Sequence, residues 1–170
     1  MLKQILTIFL LSTAVIAAAA DLPKRKSGLW EITSASSAHT IAGKGNMTMT
    51  MCVDQNSDAD WMQGGRQMSQ AQCSKQEHKV ERDRVTFSSV CNLGKTTATT
   101  QGVATGDFGK EYKVETKSTY EPPIGAMKDA STTITAKWLG PCKAGQRPGD
   151  VIMPNGMTMN MNDMMQKMKK

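Results

Sequence analysis

Apolar and polar residues alternate with a period of two along much of the chain, which is the pattern of a half-buried strand. The clearest case is the segment 112–120, where Tyr112 and Val114 share one face while Lys113 and Glu115 share the other. The same pattern predicts strands at residues 28–36, 46–53, 73–80, 85–92, 96–105 and 131–139. Threonine is abundant in these segments, and it suits a pleated sheet better than a helix.

Short links rich in glycine, asparagine, aspartate and proline separate these segments. The last of these links is a turn predicted at Glu121-Pro-Pro-Ile-Gly125. Short strands joined by short links favour antiparallel pairing. The sequence therefore predicts a mainly β fold, an antiparallel sheet of about seven strands curled into a barrel or half-barrel.

One or two short helices interrupt the strand pattern. Ser57 begins a segment that resembles a capped helix, which Gly64 and Gly65 then interrupt. Residues 140–156 contain several prolines and glycines and are predicted to form an irregular connection. After it, methionines at 161, 164, 165 and 168 form one stripe of a short C-terminal helix.

The first 20 residues have the pattern of a signal peptide. Lys3 is followed by an apolar run, and small alanines end at Ala20, where cleavage is expected. A membrane anchor is the alternative, but a span needs about 20 apolar residues and this run is shorter. No later segment is apolar and long enough to cross a bilayer. The predicted organisation is a leader at 1–20, an antiparallel β domain at 21–142, and an irregular connection with a methionine-rich tail at 143–170.

Four cysteines lie in the predicted exported chain, and an even number outside the cytosol indicates two disulfides. The segment from Cys73 to Cys91 resembles a hairpin that turns at Arg82, so these two sulfurs face each other across paired strands. The remaining bond then joins Cys52 to Cys142. A four-cysteine zinc site is disfavoured because the chain has no Cys-x-x-Cys pair.

Several motifs resemble a family of small exported proteobacterial proteins known as domain of unknown function 3617. The resemblance is carried by Ser27-Gly-Leu-Trp-Glu-Ile-Thr33, Met49-Thr-Met-Cys-Val53, the cysteines at 73 and 91, Lys137-Trp-Leu-Gly-Pro-Cys142 and Pro148-Gly-Asp-Val151. It implies a periplasmic setting in a Gram-negative cell. It implies no catalytic residue, because none is assigned in that family.

The net charge of +6 is spread thinly along the chain. Only Lys24-Arg-Lys26 and the last lysines form clusters, and clusters at chain ends are typical of solvated termini. The pattern therefore gives no reason to expect nucleic acid binding. His39 and His78 have no partner at a recognisable catalytic spacing, and no Gly-x-Ser-x-Gly elbow occurs. We accordingly expect a protein that is not an enzyme and needs no cofactor, and the sequence leaves its oligomeric state open.

Large residues on one face of the predicted sheet provide the candidate binding site. Trp30, Met49, Tyr112 and Trp138 are expected to hold an apolar ligand or a segment of an envelope partner.

The alternative is a soft-metal site, because the chain contains 14 methionines. Met47, Met49 and Met51 project from one face of a strand, where their thioethers suit Cu(I) or Ag(I). Methionine also fills irregular cores, and this structural role is the simpler interpretation of the same residues.

Overall fold

The computed structural model describes residues 22–38, 46–55, 58 and 72–168. The predicted leader, His39 and most of the predicted helix near Ser57 lie outside these residues. The described elements are β1 Gly28–Ser36, β2 Met47–Val53, β3 Cys73–Glu81, β4 Arg84–Leu93, β5 Thr96–Asp107, β6 Glu111–Ile124, β7 Met127–Gly140, β8 Asp150–Ile152, β9 Thr158–Asn160 and the C-terminal helix α1 Met161–Met168.

The strands form one sheet in the order β3-β4-β5-β6-β7-β1-β2-β8-β9. Every neighbouring pair is antiparallel. The mainly β, antiparallel class is therefore confirmed, but the predictions of about seven strands and of a closed barrel are wrong. Within the described residues the sheet has nine strands and is not closed, with β3 at one edge and β9 at the other.

The two unpredicted strands, β8 and β9, lie in the part of the chain expected to be an irregular connection and tail. Each has three residues, too few for a period of two to be recognised. β8 forms because Val151 and Ile152 pair with Met51 and Thr50 of β2. A long-range contact therefore creates a strand that has no local signature.

The turn predicted at Glu121–Gly125 is displaced toward the C-terminus. β6 continues through Pro122 and Pro123 to Ile124, which pairs with Met127 at the start of β7. The ladder between the two strands is irregular between Thr119 and Ile124. Prolines are tolerated there because an irregular ladder does not need their missing N–H groups.

One face of the sheet, here called the core face, carries the hydrophobic core. Trp30 is completely buried, and Met51, Val53, Ala136 and Val151 pack around it. Since opposed residues of antiparallel strands share a face, the cross-strand partners of Trp30 on both sides also lie on the core face. The opposite face is more polar and carries most of the lysines and glutamates of β3 and β6.

Both predicted disulfides are present. Cys73 and Cys91 oppose each other across β3 and β4. Cys52 bonds to Cys142 over a sequence separation of 90 residues and ties β2 to the chain just after β7. The second bond lies on the face opposite Trp30, because Cys52 is adjacent to the core residue Met51 on the strand.

The predicted C-terminal helix is confirmed as α1. Its cap is Asn160, whose side-chain oxygen accepts hydrogen bonds from the backbone N–H groups of Asn162 and Asp163. Met161 packs against the core cluster, which gives this eight-residue helix the partner surface that so short a helix needs. No helix among the described residues is long and apolar enough to cross a membrane.

Candidate functional site

The four residues predicted to bind a ligand do lie together on the core face. Trp30 is at the centre, and Met49, Tyr112 and Trp138 are half-buried against it. The Tyr112 ring is 5.7 Å from the Trp30 ring. Trp30 itself has no accessible surface and serves the core, while its three neighbours retain exposed surface at the edge of the cluster. A role of these residues in binding a ligand stays a prediction.

The three methionines of the alternative site also share the core face of β2. Met51 is buried, whereas Met47 and Met49 are half-buried. The tertiary structure adds three further methionines that sequence reasoning did not connect with them. Met153, Met159 and Met161 pack against the same cluster around Trp30.

A basic segment that sequence patterns assigned to a solvated terminus is held against the core instead. The guanidinium of Arg25 makes two hydrogen bonds to the carboxylate of Asp58, one of them 3.0 Å long between Nε and Oδ2. Both residues are buried, with 9% and 8% of their surface exposed. Burial alone lowers the pKa of the Arg25 guanidinium, but hydrogen bonding to Asp58 keeps that pKa above its usual value. The segment is therefore fixed by a buried ion pair.

Lys26 extends this attachment to Trp30 and Trp138. Its carbonyl oxygen accepts a hydrogen bond of 2.8 Å from Nε1–H of Trp30. Its ammonium group lies 3.6 Å from the centre of the Trp138 ring, a cation–π contact. Burial also raises the pKa of the Tyr112 phenol next to Arg25. This end of the core face is thus closed by its own side chains.

Away from this cluster, the middle of the sheet contains an open trough of about 710 Å³. Five residues, one from each of β3 to β7, form a row across it, together with their neighbours along each strand. These five are His78, Phe87, Gly102, Thr116 and Thr132, and each opposes the next in register. The side chains of these five project to the core face, since Thr132 is four residues before the core residue Ala136 on β7. The other eleven lining residues alternate with them along the strands and project to the opposite, polar face, so their side chains form the walls and the trough opens on that face. Five of these wall residues are charged, namely Glu77, Lys79, Arg84, Glu115 and Lys117.

Gly102 is required by the packing of Phe87 in this row. A Cβ atom at Gly102 would lie 2.3 Å from the nearest ring carbon of Phe87. The ring therefore covers the glycine closely, and a larger residue at this position would displace it.

On the core face, the two rows that flank these five residues differ in chemistry. Toward the core cluster, the next row is entirely apolar and consists of Val80, Val85, Ala104, Val114 and Ile134. On the other side, the row contains Ser89, Thr100 and Ser118, and the Thr100 and Ser118 hydroxyl oxygens are 2.8 Å apart. None of the residues in these two rows lines the trough, whose walls are charged and polar side chains together with Val103.

No second layer covers the trough within the described part of the chain, where the extensive contacts between elements all join neighbouring strands. Sequence patterns did not identify this site, because the strands that contain His78 and Phe87 show no clearly apolar face. Only the register that aligns five strands brings the row together. Among the described residues, no group of three or more histidine, cysteine, aspartate or glutamate side chains is placed to hold a metal ion.

Comparison with known protein families gives one match. A family model described as "Protein of unknown function (DUF3617)" matches residues 25–142. The chain belongs to this family. The DUF3617 match begins at the buried Arg25, includes β1 to β7 and ends at Cys142. It contains all four cysteines and the entire trough, whereas β8, β9 and α1 lie beyond it.

The resemblance expected from the sequence motifs is thereby confirmed. A comparison with curated proteins and with solved structures gives no match. The DUF3617 assignment carries no activity and no ligand, so the function is argued from the geometry of this chain alone.

Proposed function

We propose that this protein is a non-enzymatic, exported binding protein that holds an amphipathic, lipid-like ligand in the open trough of its sheet. The observation that carries this proposal is the trough of about 710 Å³, whose exposed lining atoms are mostly apolar although many of its side chains end in charged or hydroxyl groups. Sites for small molecules have volumes of roughly 300–1,000 Å³, with mostly apolar walls and a few polar groups that fix orientation.

The lining of the trough favours a specific arrangement of the ligand. An alkyl chain is expected to lie along the floor, against Gly102 and Val103. A polar head group is expected at the polar side chains of the walls, such as Arg84 and Gln101, which can donate hydrogen bonds. An envelope protein that inserts an apolar segment would use the same surface.

Export to the periplasm, with removal of the leader near Ala20, is part of the same proposal. Two disulfides and no free cysteine among the described residues support an oxidising compartment. N-terminal sequencing of the protein purified from a Gram-negative host checks the cleavage. A mature N-terminus at Met1 would contradict export through a cleaved leader.

Replacement of Val103 by glutamate is expected to abolish ligand binding. Val103→Glu places a carboxylate in the trough, and burying a charge beneath an alkyl chain is unfavourable. We expect lipid affinity to fall by at least about tenfold, which corresponds to about 1.4 kcal/mol. The measurement is displacement of a fluorescent fatty acid by fatty acids and phospholipids.

The matched control is Thr99→Glu, which introduces the same carboxylate on the same face of the same strand but outside the trough, where Thr99 is exposed. This variant should bind as the wild-type protein does. The proposal fails if the wild-type protein shows no saturable binding, or if both variants lose affinity equally.

A second candidate function, Cu(I) or Ag(I) binding, is supported by the methionines that meet on the core face. Met47, Met49 and Met51 line one face of β2, and Met159 and Met161 pack against the same cluster. Thioethers are soft ligands that select monovalent copper and silver.

The triple substitution of Met47, Met49 and Met51 by leucine tests this function. Leucine has nearly the volume of methionine but no sulfur, so the fold should persist while Cu(I) affinity falls by at least about tenfold. The Cu(I) affinity is measured by competition against a chromogenic Cu(I) chelator under anaerobic conditions without added thiols. The control replaces the exposed Met157 and Met164 by leucine. Unchanged affinity in the triple variant would exclude this site.

A further inference from the structure

Strand β3 is one edge of the sheet, and no other strand in the described part of the chain pairs with its outer side. The backbone groups of an edge strand can pair with another polypeptide. β3 has nine residues, whereas β9 at the opposite edge has only three. β3 is therefore the edge that can accept a second strand over a useful length.

The polar face of β3 carries four charges of alternating sign. Lys75, Glu77, Lys79 and Glu81 have 58%, 64%, 74% and 48% of their side-chain surface exposed. Among the described residues, their ion pairs run along their own strand, Lys75 with Glu77 at 3.3 Å and Lys79 with Glu81 at 2.6 Å. On β4, uncharged residues oppose Lys75, Glu77 and Lys79. Of the four, only Glu81 faces a charged residue, which is Arg84. The alternation is thus not explained by the neighbouring strand.

This charge pattern is complementary to itself in the antiparallel direction. When two copies of β3 are aligned with His78 opposite His78, Lys75 opposes Glu81 and Glu77 opposes Lys79, and the symmetry repeats both pairs. Four pairs of opposite charges then face each other, which is the favourable cross-strand arrangement. If the two β3 strands are instead aligned about Glu77 or about Lys79, like charges oppose each other. Larger shifts of the alignment shorten the length over which the two strands overlap.

We infer that this protein self-associates through its β3 edges, as a two-fold symmetric dimer in which the sheets of two copies become continuous. An interface of this kind is isologous, because the same surface serves both partners. The row of the trough begins at His78 on β3, so the troughs of the two copies meet at the symmetry axis. The dimer does not depend on the proposed ligand.

Exposed ion pairs are weak individually and are screened by salt. The dimer is therefore reversible, and the charges determine its register and its specificity more than its strength. We expect the association constant to fall about tenfold between about 50 mM and about 500 mM NaCl. Analytical ultracentrifugation of the oxidised protein over a wide concentration range measures this constant.

Reversing the charges on β3 tests whether this edge forms the dimer interface. Lys75→Glu with Lys79→Glu makes all four β3 charges acidic, and Glu77→Lys with Glu81→Lys makes them all basic. Each double variant alone should lose association by about tenfold or more, since like charges oppose each other. An equimolar mixture of the two should associate again, as a heterodimer. Because all four side chains are exposed, these variants retain the fold, which circular dichroism verifies.

The matched control is Lys113→Glu with Lys117→Glu, the same charge change on β6, which is an internal strand of the sheet. It should associate as the wild-type protein does. A wild-type protein that is monomeric at all concentrations, or a mixture of the two charge variants that stays monomeric, would overturn the proposal. So would association that the β3 variants leave unchanged.

The register is tested by carbodiimide coupling in an equal mixture of ¹⁴N- and ¹⁵N-labelled protein. Mixed-isotope peptides can arise only between two copies. We expect Lys79 coupled to Glu77 and Lys75 coupled to Glu81 in mixed-isotope form. Mixed-isotope coupling dominated by Lys75 with Glu77, or by Lys79 with Glu81, would contradict the alignment at His78.

Discussion

Replacement of Trp30 by alanine should destabilise the protein by about 3–5 kcal/mol, the range found when a fully buried aromatic residue is truncated. Trp30 has no exposed surface, and it is the largest fully buried side chain of the described residues. Its removal leaves a cavity between Met51, Ala136 and Val151 and leaves the carbonyl of Lys26 without its donor. Urea unfolding followed by far-ultraviolet circular dichroism measures the loss.

Total stability of a domain is about 5–15 kcal/mol, so the alanine variant can be largely unfolded at room temperature. Trp30→Phe keeps much of the aromatic volume and should give a smaller loss that is measurable in a folded protein. The control is Leu139→Ala on β7, where the side chain is 47% exposed and the expected change is below about 1 kcal/mol. Equal losses for Trp30→Ala and Leu139→Ala would refute the assignment of Trp30 as the centre of the core.

Removal of the Cys52–Cys142 bond should cost more stability than removal of the Cys73–Cys91 bond. The first bond closes a separation of 90 residues and the second a separation of 18. In the loop-entropy treatment, these separations correspond to about 4–5 and about 3 kcal/mol. The comparison uses the double alanine variants of each pair and their free energies of unfolding in urea.

The difference has a second physical cause. Cys73 and Cys91 are already opposed in a hairpin, so neighbouring backbone hydrogen bonds hold them near each other. Cys142 follows β7 and is joined to β2, a strand that is not adjacent to β7 because β1 lies between them. A larger loss for the Cys73 and Cys91 variant would show that loop length does not govern these two bonds.

Much of the fold could be predicted because alternation is a local property. The strand at 28–36 has the predicted bounds, and the other six predicted strands differ by a few residues at their ends. The hairpin centred on Arg82 correctly predicted the bond between Cys73 and Cys91, because two strands joined by a tight turn have little choice of register. The stripe of methionines from Met161 correctly predicted the C-terminal helix, because helical periodicity is also a local property of the sequence.

The candidate site was much less accessible to sequence reasoning. Trp30, Met49, Tyr112 and Trp138 were grouped correctly, because large residues on strand faces tend to meet in a core. Arg25 was expected in solvent, but Asp58, 33 residues away in sequence, holds it in a buried pair. The trough was not predicted at all, because its five central residues come from five strands and individually resemble ordinary surface positions.

The sequence by itself determined which segments are strands, which face of most of them is apolar, and how the cysteines pair. The tertiary structure alone decided that the sheet stays open, that β8 and β9 join it, and that His78, Phe87 and Thr116 form one row. The physical reason is the range of the interactions. Alternation and tight turns act between residues close in the chain, whereas edge pairing, buried ion pairs and cross-strand rows exist only after distant segments have been brought into register.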